Sequence, residues 1–389
     1  MPETTKAAAV RRRSLAELAW VFLKLGTVAF GGPAAHIALY RQEIVQRRRW
    51  LSESEFLDRL GAASLIPGPT STELVIHVGH LRAGWPGLIV AGACFILPAA
   101  ISTGVLAWIY VHYGHLPAAE GLLYAVKPVV IAIILQALWS FSRTAVRNRW
   151  LALVGLITAA LAAVQLHPLV VLLAGGAITG VKHALSRPGG ENKIARGVLW
   201  WLPQAATGAA AVVPITLGGI FLTFVKIGSV LFGSGYVLLA FLRAEFVERR
   251  GWLTAQQLLD SVAVGQITPG PVFTTATFIG YILHGPAGAA VATVGIFVPA
   301  FFFVAISAPL IPRLRSSPTA SAVLDGINVG SLALMAVVTV QLGHAALVDW
   351  LTIAIAAASA LLLFRWRVNS VWLIAGSALL GILVYPHLH

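Results

Sequence analysis

Long apolar runs dominate this chain, and short polar segments separate them. The runs Leu88–Val111 and Ala322–Leu342 each supply the roughly 20 residues that a helix needs to cross a bilayer. Hydrophobic residues occupy 58% of the 389 positions and charged residues only 11%, whereas soluble domains are about 25% charged. The pattern predicts an all-α polytopic membrane protein in contact with lipid. It excludes a soluble enzyme, a disordered chain and a secreted disulfide scaffold.

The second half of the chain repeats the first. A displacement of 202 residues aligns Phe22–Pro69 with Phe224–Pro271 without a gap, and 19 of the 48 aligned pairs are identical. After one deleted residue the match continues as far as Pro98 and Pro299. Two homologous halves are common in secondary transporters. We therefore predict transporter repeats at residues 14–182 and 214–389, an N-terminal tail at 1–13, and a loop plus a linking helix at 183–213.

Loop charges predict that the two halves have opposite orientations. His112–Gly121 contains no Lys or Arg, whereas the corresponding run of the second half ends at Pro312–Arg315, which contains two Arg. Positive loops stay in the cytoplasm. We predict inverted-topology repeats, a cytoplasmic tail and 183–213 loop, and a periplasmic C-terminus. The excess of 27 Lys and Arg over 14 Asp and Glu then reflects topology, and we expect no nucleic-acid partner.

Each half begins with segments that Gly and Pro interrupt. Ser14–Phe30 ends at Gly31-Gly32-Pro33, and Glu53–Ile66 ends at Pro67-Gly68-Pro69. Glycine lacks backbone restraint and proline lacks an amide donor, so both stop helices. The next segment runs only about a dozen residues to His80, which is ~18 Å of helix against a ~30 Å hydrocarbon core. We predict broken, re-entrant helices, with kinked helices that cross completely as the alternative.

The breaks have the composition of helix N-termini that bind oxyanions. An early proline and a capping hydroxyl are typical of a helix start, and its free N–H groups and partial positive charge attract anions. Both Pro-Gly-Pro motifs are followed by hydroxyl residues, and both glycine-rich breaks open helices. The candidate oxyanion-binding residues are Gly31, Gly32, Pro67, Gly68, Pro69, Thr70, Ser71, Thr72, Gly233, Ser234, Gly235, Pro269, Gly270, Pro271, Thr274 and Thr275.

Charged residues inside apolar segments extend this site. Lys24 and Lys226 occupy equivalent positions, and a lysine at a helix centre costs roughly 2.5–3.5 kcal/mol. Together they could neutralise a dianion, or they could snorkel to the interface. Lys127, His36 and Glu73 are candidates for coupling or gating. Glu73 could carry a proton, pair with a lysine or face water.

No enzyme motif accompanies these residues. His77 and His80 have helical spacing, but no further ligand cluster is present in the sequence to complete a metal site. A phosphate-binding P-loop and a nucleophile elbow are also absent from the sequence. We expect no metal, no cofactor and no enzymatic activity.

Five strings of the sequence carry a family resemblance: Phe30–His36, Arg47–Leu51, Ile66–Thr70, Phe232–Leu238 and Gly265–Pro271. Together they resemble the chromate ion transporter family in its long, two-domain form. The resemblance implies a bacterial inner-membrane protein that exports chromate and confers chromate resistance, with sulfate as a related oxyanion. It also implies energy from the membrane potential or the proton gradient. A passive anion channel and a transporter of sulfate or another oxyanion remain alternatives, and a homodimer stays open.

Overall fold

The computed structural model describes residues 3–30, 32–185, 214–232, 235–307 and 317–385. Within these ranges every regular element is helical. The chain forms two compact units, each assembled from separate stretches of sequence. The first unit contains Met1–His112, Thr216–Leu231 and Val264–Ala308, and the second contains Tyr113–Ile215, Phe232–Ala263 and Pro309–His389.

The helices of the two halves follow the same order. The first half contains α1 (Glu3–Val28), α2 (Gly32–Tyr40), α3 (Glu53–Ala63), α4 (Thr70–Tyr113), α5 (Pro117–Ala145), α6 (Arg149–Ala163) and α7 (Pro168–Leu185). The second contains α8 (Leu217–Val230), α9 (Leu238–Leu242), α10 (Ala255–Ile267), α11 (Thr275–Ser307), α12 (Pro318–Ala346), α13 (Trp350–Arg365) and α14 (Ser370–Val384). The predicted all-α fold and its two homologous halves are confirmed.

Five helices in the described ranges are long and apolar enough to cross a membrane. They are α4, α5, α7, α11 with the short turn before it, and α12. The chain is therefore a multi-pass membrane protein. The opposite orientation of the halves stays a prediction. Pro312–Arg315 and most of the predicted loop and linking helix, residues 186–213, lie outside the described residues.

Helix ends follow local sequence. Ser52 starts α3 with a capping box: its side chain accepts a hydrogen bond from the backbone amide of Glu55, and the Glu55 side chain accepts one from the backbone amide of Ser52. Pro117 and Pro318 stand at the first turns of α5 and α12, where a missing donor has no cost. Helix α1 already begins at Glu3, so most of the predicted tail, residues 1–13, belongs to this helix.

Helices α4 and α11 are each hairpins of two arms. The backbone of α4 leaves helical geometry at Ala83 and Gly84, and that of α11 does so at His284 and Gly285. In α4 the arms pack so closely that a Cβ on Gly79 would lie 2.3 Å from a backbone oxygen of the second arm. The first arm, residues 70–82, matches the predicted segment of about a dozen residues.

In the second unit, helices from opposite halves pack on each other. Helix α5 contacts α13 and α14, while its counterpart α12 contacts α6 and α7. Glycines permit close approach at both crossings: Gly121 of α5 faces Gly381 of α14, and Gly175 of α7 faces Gly326 of α12. Small residues are typical of such contacts in membranes, since they allow backbones to meet.

Candidate functional site

The two Pro-Gly-Pro loops lie in the first unit, and each one contacts the opposite repeat. The amide of Gly68 donates a hydrogen bond to the carbonyl of Leu231, at the end of α8, over 2.7 Å. The amide of Gly270 donates to the carbonyl of Ala29, just after α1, over 2.8 Å. Each loop is thereby attached to the first helix of the other half, in a reciprocal arrangement.

This pairing changes the expected role of the two glycines. Their amides already have backbone acceptors, which hold the loops in place, and oxyanion binding at these two residues stays a prediction. The first-turn amides of α4, at Thr70 and Ser71, are the ones that a helix start leaves without an intrahelical acceptor. Glycine is also required by conformation, because φ is +140° at Gly68 and +87° at Gly270.

Equivalent alanines close both loops. A Cβ on Gly270 would lie 2.7 Å from the Cβ of Ala99, and one on Gly68 would lie 3.5 Å from the Cβ of Ala300. These alanines follow the repeat-matched residues Pro98 and Pro299 in the second arms of α4 and α11. An alanine at the equivalent position therefore packs against each loop.

The residues that surround the two loops are chemically different. At the second loop, the hydroxyl of Thr103 lies 3.3 Å from that of Thr268 and 3.4 Å from that of Thr274. All three threonines are buried. Thr103 and Thr268 were not among the sequence candidates. Thr268 could have been found from its place next to Pro269, whereas nothing in the sequence marks Thr103.

At the first loop, a carboxyl group takes the place of these hydroxyls. Glu73 lies in the first turn of α4 and is fully buried. Its Oε1 atom lies 2.5 Å from the position that a Cβ on Gly68 would occupy, so the carboxyl folds back over the loop. Neither carboxyl oxygen has a hydrogen-bond partner among the described residues, and the buried hydroxyl of Thr72 beside it has none there either.

His36 supports the end of α1. It is buried, and its Nε2 atom lies 3.1 Å from the carbonyl of Ala29, the same oxygen that accepts the amide of Gly270. The ring packs edge-on against Phe95 of α4. His36 therefore stabilises the attachment of the second loop.

The two lysines differ in exposure. Lys226 is partly buried on α8, whereas Lys24 is exposed on α1. The packed face of α1 contains Phe22 and Leu25, and helical periodicity directs position 24 away from that face. Lys24 shares its exposed face with Trp20, and whether the two lysines neutralise a dianion or snorkel to the interface stays a prediction.

Lys127 has a partner in the second unit. Its ammonium lies 2.8 Å from Oδ1 of Asp260, and both side chains are more than nine-tenths buried. Asp260 is repeat-matched to Asp58, which is exposed. Lys127 therefore forms a buried ion pair with α10, and the gating role stays a prediction.

Equivalent acidic residues pair with arginines in both halves. Helices α2 and α9 continue as π-helical turns, Arg41–Arg47 and Arg243–Arg249. Glu43 accepts a 2.8 Å bond from Arg48, and Glu245 accepts a 3.2 Å bond from Arg249. Burial disfavours the Glu43 carboxylate, but Arg48 and Arg47 outweigh it and lower the pKa of Glu43. The residues of these pairs are identical between the two repeats, but the sequence alone did not predict that they pair.

The remaining candidates can be placed only in part. Gly32, with φ +78°, begins α2, and Gly235 begins a short 3-10 turn before α9. Gly31, Gly233 and Ser234 lie outside the described residues. No group of three or more metal-ligating side chains occurs in the part of the chain that the structure describes.

Comparison with known proteins identifies the family. The family model "Chromate transporter" matches residues 16–181 and again residues 218–382. The chain belongs to the chromate transporter family. Both matched regions fall inside the repeats predicted at 14–182 and 214–389, and they carry the two Pro-Gly-Pro loops of this chromate transporter family member.

Curated relatives agree along nearly the full length. The chain is 30% identical to the "Chromate transport protein" of Cupriavidus metallidurans, over all of this chain and 98% of that protein. It is 33% identical to the "Chromate transport protein" of Pseudomonas aeruginosa, over 94% and 91% of the two chains. It is 34% identical to the "Probable chromate transport protein" of Synechococcus elongatus, over 86% of each. No solved structure matches the chain.

Proposed function

We propose that this protein is a secondary carrier that exports chromate across the bacterial inner membrane and so confers chromate resistance. The observation that carries the proposal is the reciprocal attachment of the Pro-Gly-Pro loops within one unit. It supports a single region where two interrupted membrane segments begin. The names of the relatives supply the substrate, because three of them are called chromate transport proteins or a probable one.

The chemistry of the loops suits a tetrahedral dianion. Thr70 and Ser71 contribute first-turn amides, and the partial positive charge of a helix start stabilises anions. The buried hydroxyls of Thr103, Thr268 and Thr274 give the second loop a neutral polar lining. In this structure Thr268 and Thr274 donate to the carbonyls of Val264 and Pro271. Lys226 supplies a positive charge on a neighbouring helix. Sulfate has the same shape and charge as chromate, so we expect it to compete.

Inverted halves would give such a carrier its mechanism. Secondary transporters with inverted repeats expose a central site alternately to the two sides, as one repeat or bundle moves against the other. We propose this arrangement here, with the N-terminus in the cytoplasm and the C-terminus in the periplasm. Export of a doubly charged anion would be favoured by a membrane potential that is negative inside.

Chromate uptake into inside-out membrane vesicles tests this function. Vesicles energised by respiration should accumulate chromate above the external concentration, sulfate should reduce the rate, and an uncoupler should abolish the accumulation. Vesicles without the protein are the control. The membrane potential alone also drives a dianion inward through a passive channel. Accumulation that stops at electrochemical equilibrium with the measured potential would therefore indicate a passive channel, and absence of uptake would refute chromate export.

A further inference from the structure

Glu73 is a buried carboxyl group without a hydrogen-bond partner among the described residues of the first unit. Its carboxyl is fully buried, and both oxygens are without a hydrogen-bond partner among the described residues. Buried carboxyl groups in proteins are almost always paired or hydrogen-bonded. A group in this state marks a position where a proton, an ion or a water is expected to bind.

The carboxyl also lies at one of the proposed anion-binding positions. Glu73 belongs to the first turn of α4, and its Oε1 atom lies over Gly68, directly before that turn. A negative side chain in the first turn of a helix interacts favourably with the positive helix end. Neither carboxyl oxygen bonds to the amides of Thr70 and Ser71 in this structure, but an ionised Glu73 would interact with the same helix end that an oxyanion would use.

No ionisable residue on the described surrounding helices forms a hydrogen bond with the Glu73 carboxyl. The second arm of α11, which brings Ala300 against the loop, contains no ionisable residue over 285–307. None of the ionisable groups on the other neighbouring helices bonds to Glu73 in the described structure. These groups include Lys24 and Glu17 on α1, His36 and Tyr40 on α2, Asp58 and Arg59 on α3, His77, His80 and Arg82 on α4, and Lys226 on α8.

We infer that Glu73 is a proton-binding site that shares the start of α4 with the transported oxyanion. The site holds either the carboxylate alone, or a protonated Glu73 together with the oxyanion. Two negative groups cannot share one buried helix end, so loss of the proton expels the anion and binding of the anion takes up a proton. The proton comes from water and returns to it, and no bond other than O–H changes.

The second loop supplies an internal comparison. The displacement changes from 202 to 201 residues between Pro69 and Gly79, so Glu73 aligns with Thr275 or Thr274. Both hydroxyls donate to backbone carbonyls, of Val272 over 2.8 Å and of Pro271 over 2.9 Å. A satisfied, neutral threonine stands where the first repeat has an unsatisfied acid. The inference therefore assigns proton binding to the first loop alone, and it rests on the proposed function.

Linkage between proton and anion binding tests the inference directly, because binding of one ligand must change the affinity for the other by the same factor. The purified full chain is titrated with chromate at mildly alkaline pH, where chromate is a dianion, in buffers of different ionisation enthalpy. The heat of binding is measured by calorimetry, and its dependence on the ionisation enthalpy of the buffer gives the number of protons taken up. We expect about one proton per chromate for the wild type and tighter binding as the pH falls.

Substitutions identify the group. Glu73→Gln keeps a neutral side chain of the same shape, so it should still bind chromate, with proton uptake near zero. The change of its chromate dissociation constant with pH should be at least tenfold smaller than that of the wild type. Glu120→Gln, at an exposed carboxyl on α5, should behave as the wild type. Proton uptake that persists in Glu73→Gln, or that disappears in His77→Gln instead, would overturn the assignment. Failure of the wild type to bind chromate at all would refute the proposed function rather than the role of Glu73.

Discussion

The attachment of the second Pro-Gly-Pro loop to the opposite repeat is best tested by adding one methyl group. In Gly270→Ala the new Cβ would lie 2.7 Å from the Cβ of Ala99 and 3.4 Å from the carbonyl oxygen of Gly26. An L-residue at the positive φ of this position costs roughly 1–2 kcal/mol. Overpacking of a filled site adds about 1–3 kcal/mol. We therefore expect Gly270→Ala to be destabilised through both effects.

Gly251 offers a matched control. It has φ +60°, but a Cβ there would meet nothing within 4 Å. Its repeat partner Arg49 already carries a side chain at φ +51°. Gly251→Ala should therefore show only the conformational cost, and the difference between the two variants isolates the contact with Ala99.

The assay is the unfolding temperature of the detergent-purified protein, together with the chromate tolerance of cells that express each variant. An excess destabilisation of about 1.4 kcal/mol would correspond to a tenfold change in the folded-to-unfolded ratio. Ala99→Gly in the Gly270→Ala background should restore part of the stability, because it removes the methyl group that clashes. Equal unfolding temperatures for Gly270→Ala and Gly251→Ala would refute the packing described here.

Three further predictions concern charged groups. Lys226→Ala should reduce chromate uptake into inside-out vesicles more than Lys24→Ala, because Lys226 is partly buried whereas Lys24 points away from the packed face of α1; equal losses would contradict this. Lys127→Met should lower the unfolding temperature, because it leaves Asp260 buried without its cation at a cost of about 3–5 kcal/mol. The double variant Lys127→Met/Asp260→Asn should recover part of the lost stability, and no recovery would argue against the ion pair. The pKa of Glu43 is lowered in the folded protein, so the ionised carboxylate stabilises the fold above the ordinary glutamate pKa, and this stabilisation is lost as the pH falls through the folded pKa. Glu43→Gln should therefore show a smaller decrease in unfolding temperature on acidification than the wild type. An equal decrease in both proteins would contradict this prediction.

Much of the architecture could be predicted because its signals are local or duplicated. Apolar runs indicate membrane helices, and Gly and Pro indicate where helices stop. The repeat at a displacement of 202 residues indicates two halves. The segment that follows Pro67-Gly68-Pro69 has the predicted short length, since α4 turns back after residue 82. That reversal at Ala83 and Gly84 was not predicted, although Gly84 lies in an arrangement that the second half repeats at Gly285.

The contacts of the loops could not be predicted, because they join residues far apart in the chain. The bond from Gly68 to Leu231 spans the two repeats, and so does the proximity of Thr103 to Thr268. The exposure of Lys24 is a different case. Hydropathy places it inside an apolar segment, but only the spacing of the buried residues Leu18, Phe22 and Leu25 shows which face of α1 it occupies.

The location of bound chromate tests the central claim most directly. Chromium scatters anomalously, so crystals of the full chain grown with chromate would reveal the ion without a prior assumption about its position. We predict a chromium peak in the first unit, within hydrogen-bond reach of the amides of Thr70 and Ser71 or of the hydroxyls around Thr103. A peak only in the second unit, beside the pair of Lys127 and Asp260, would contradict the account.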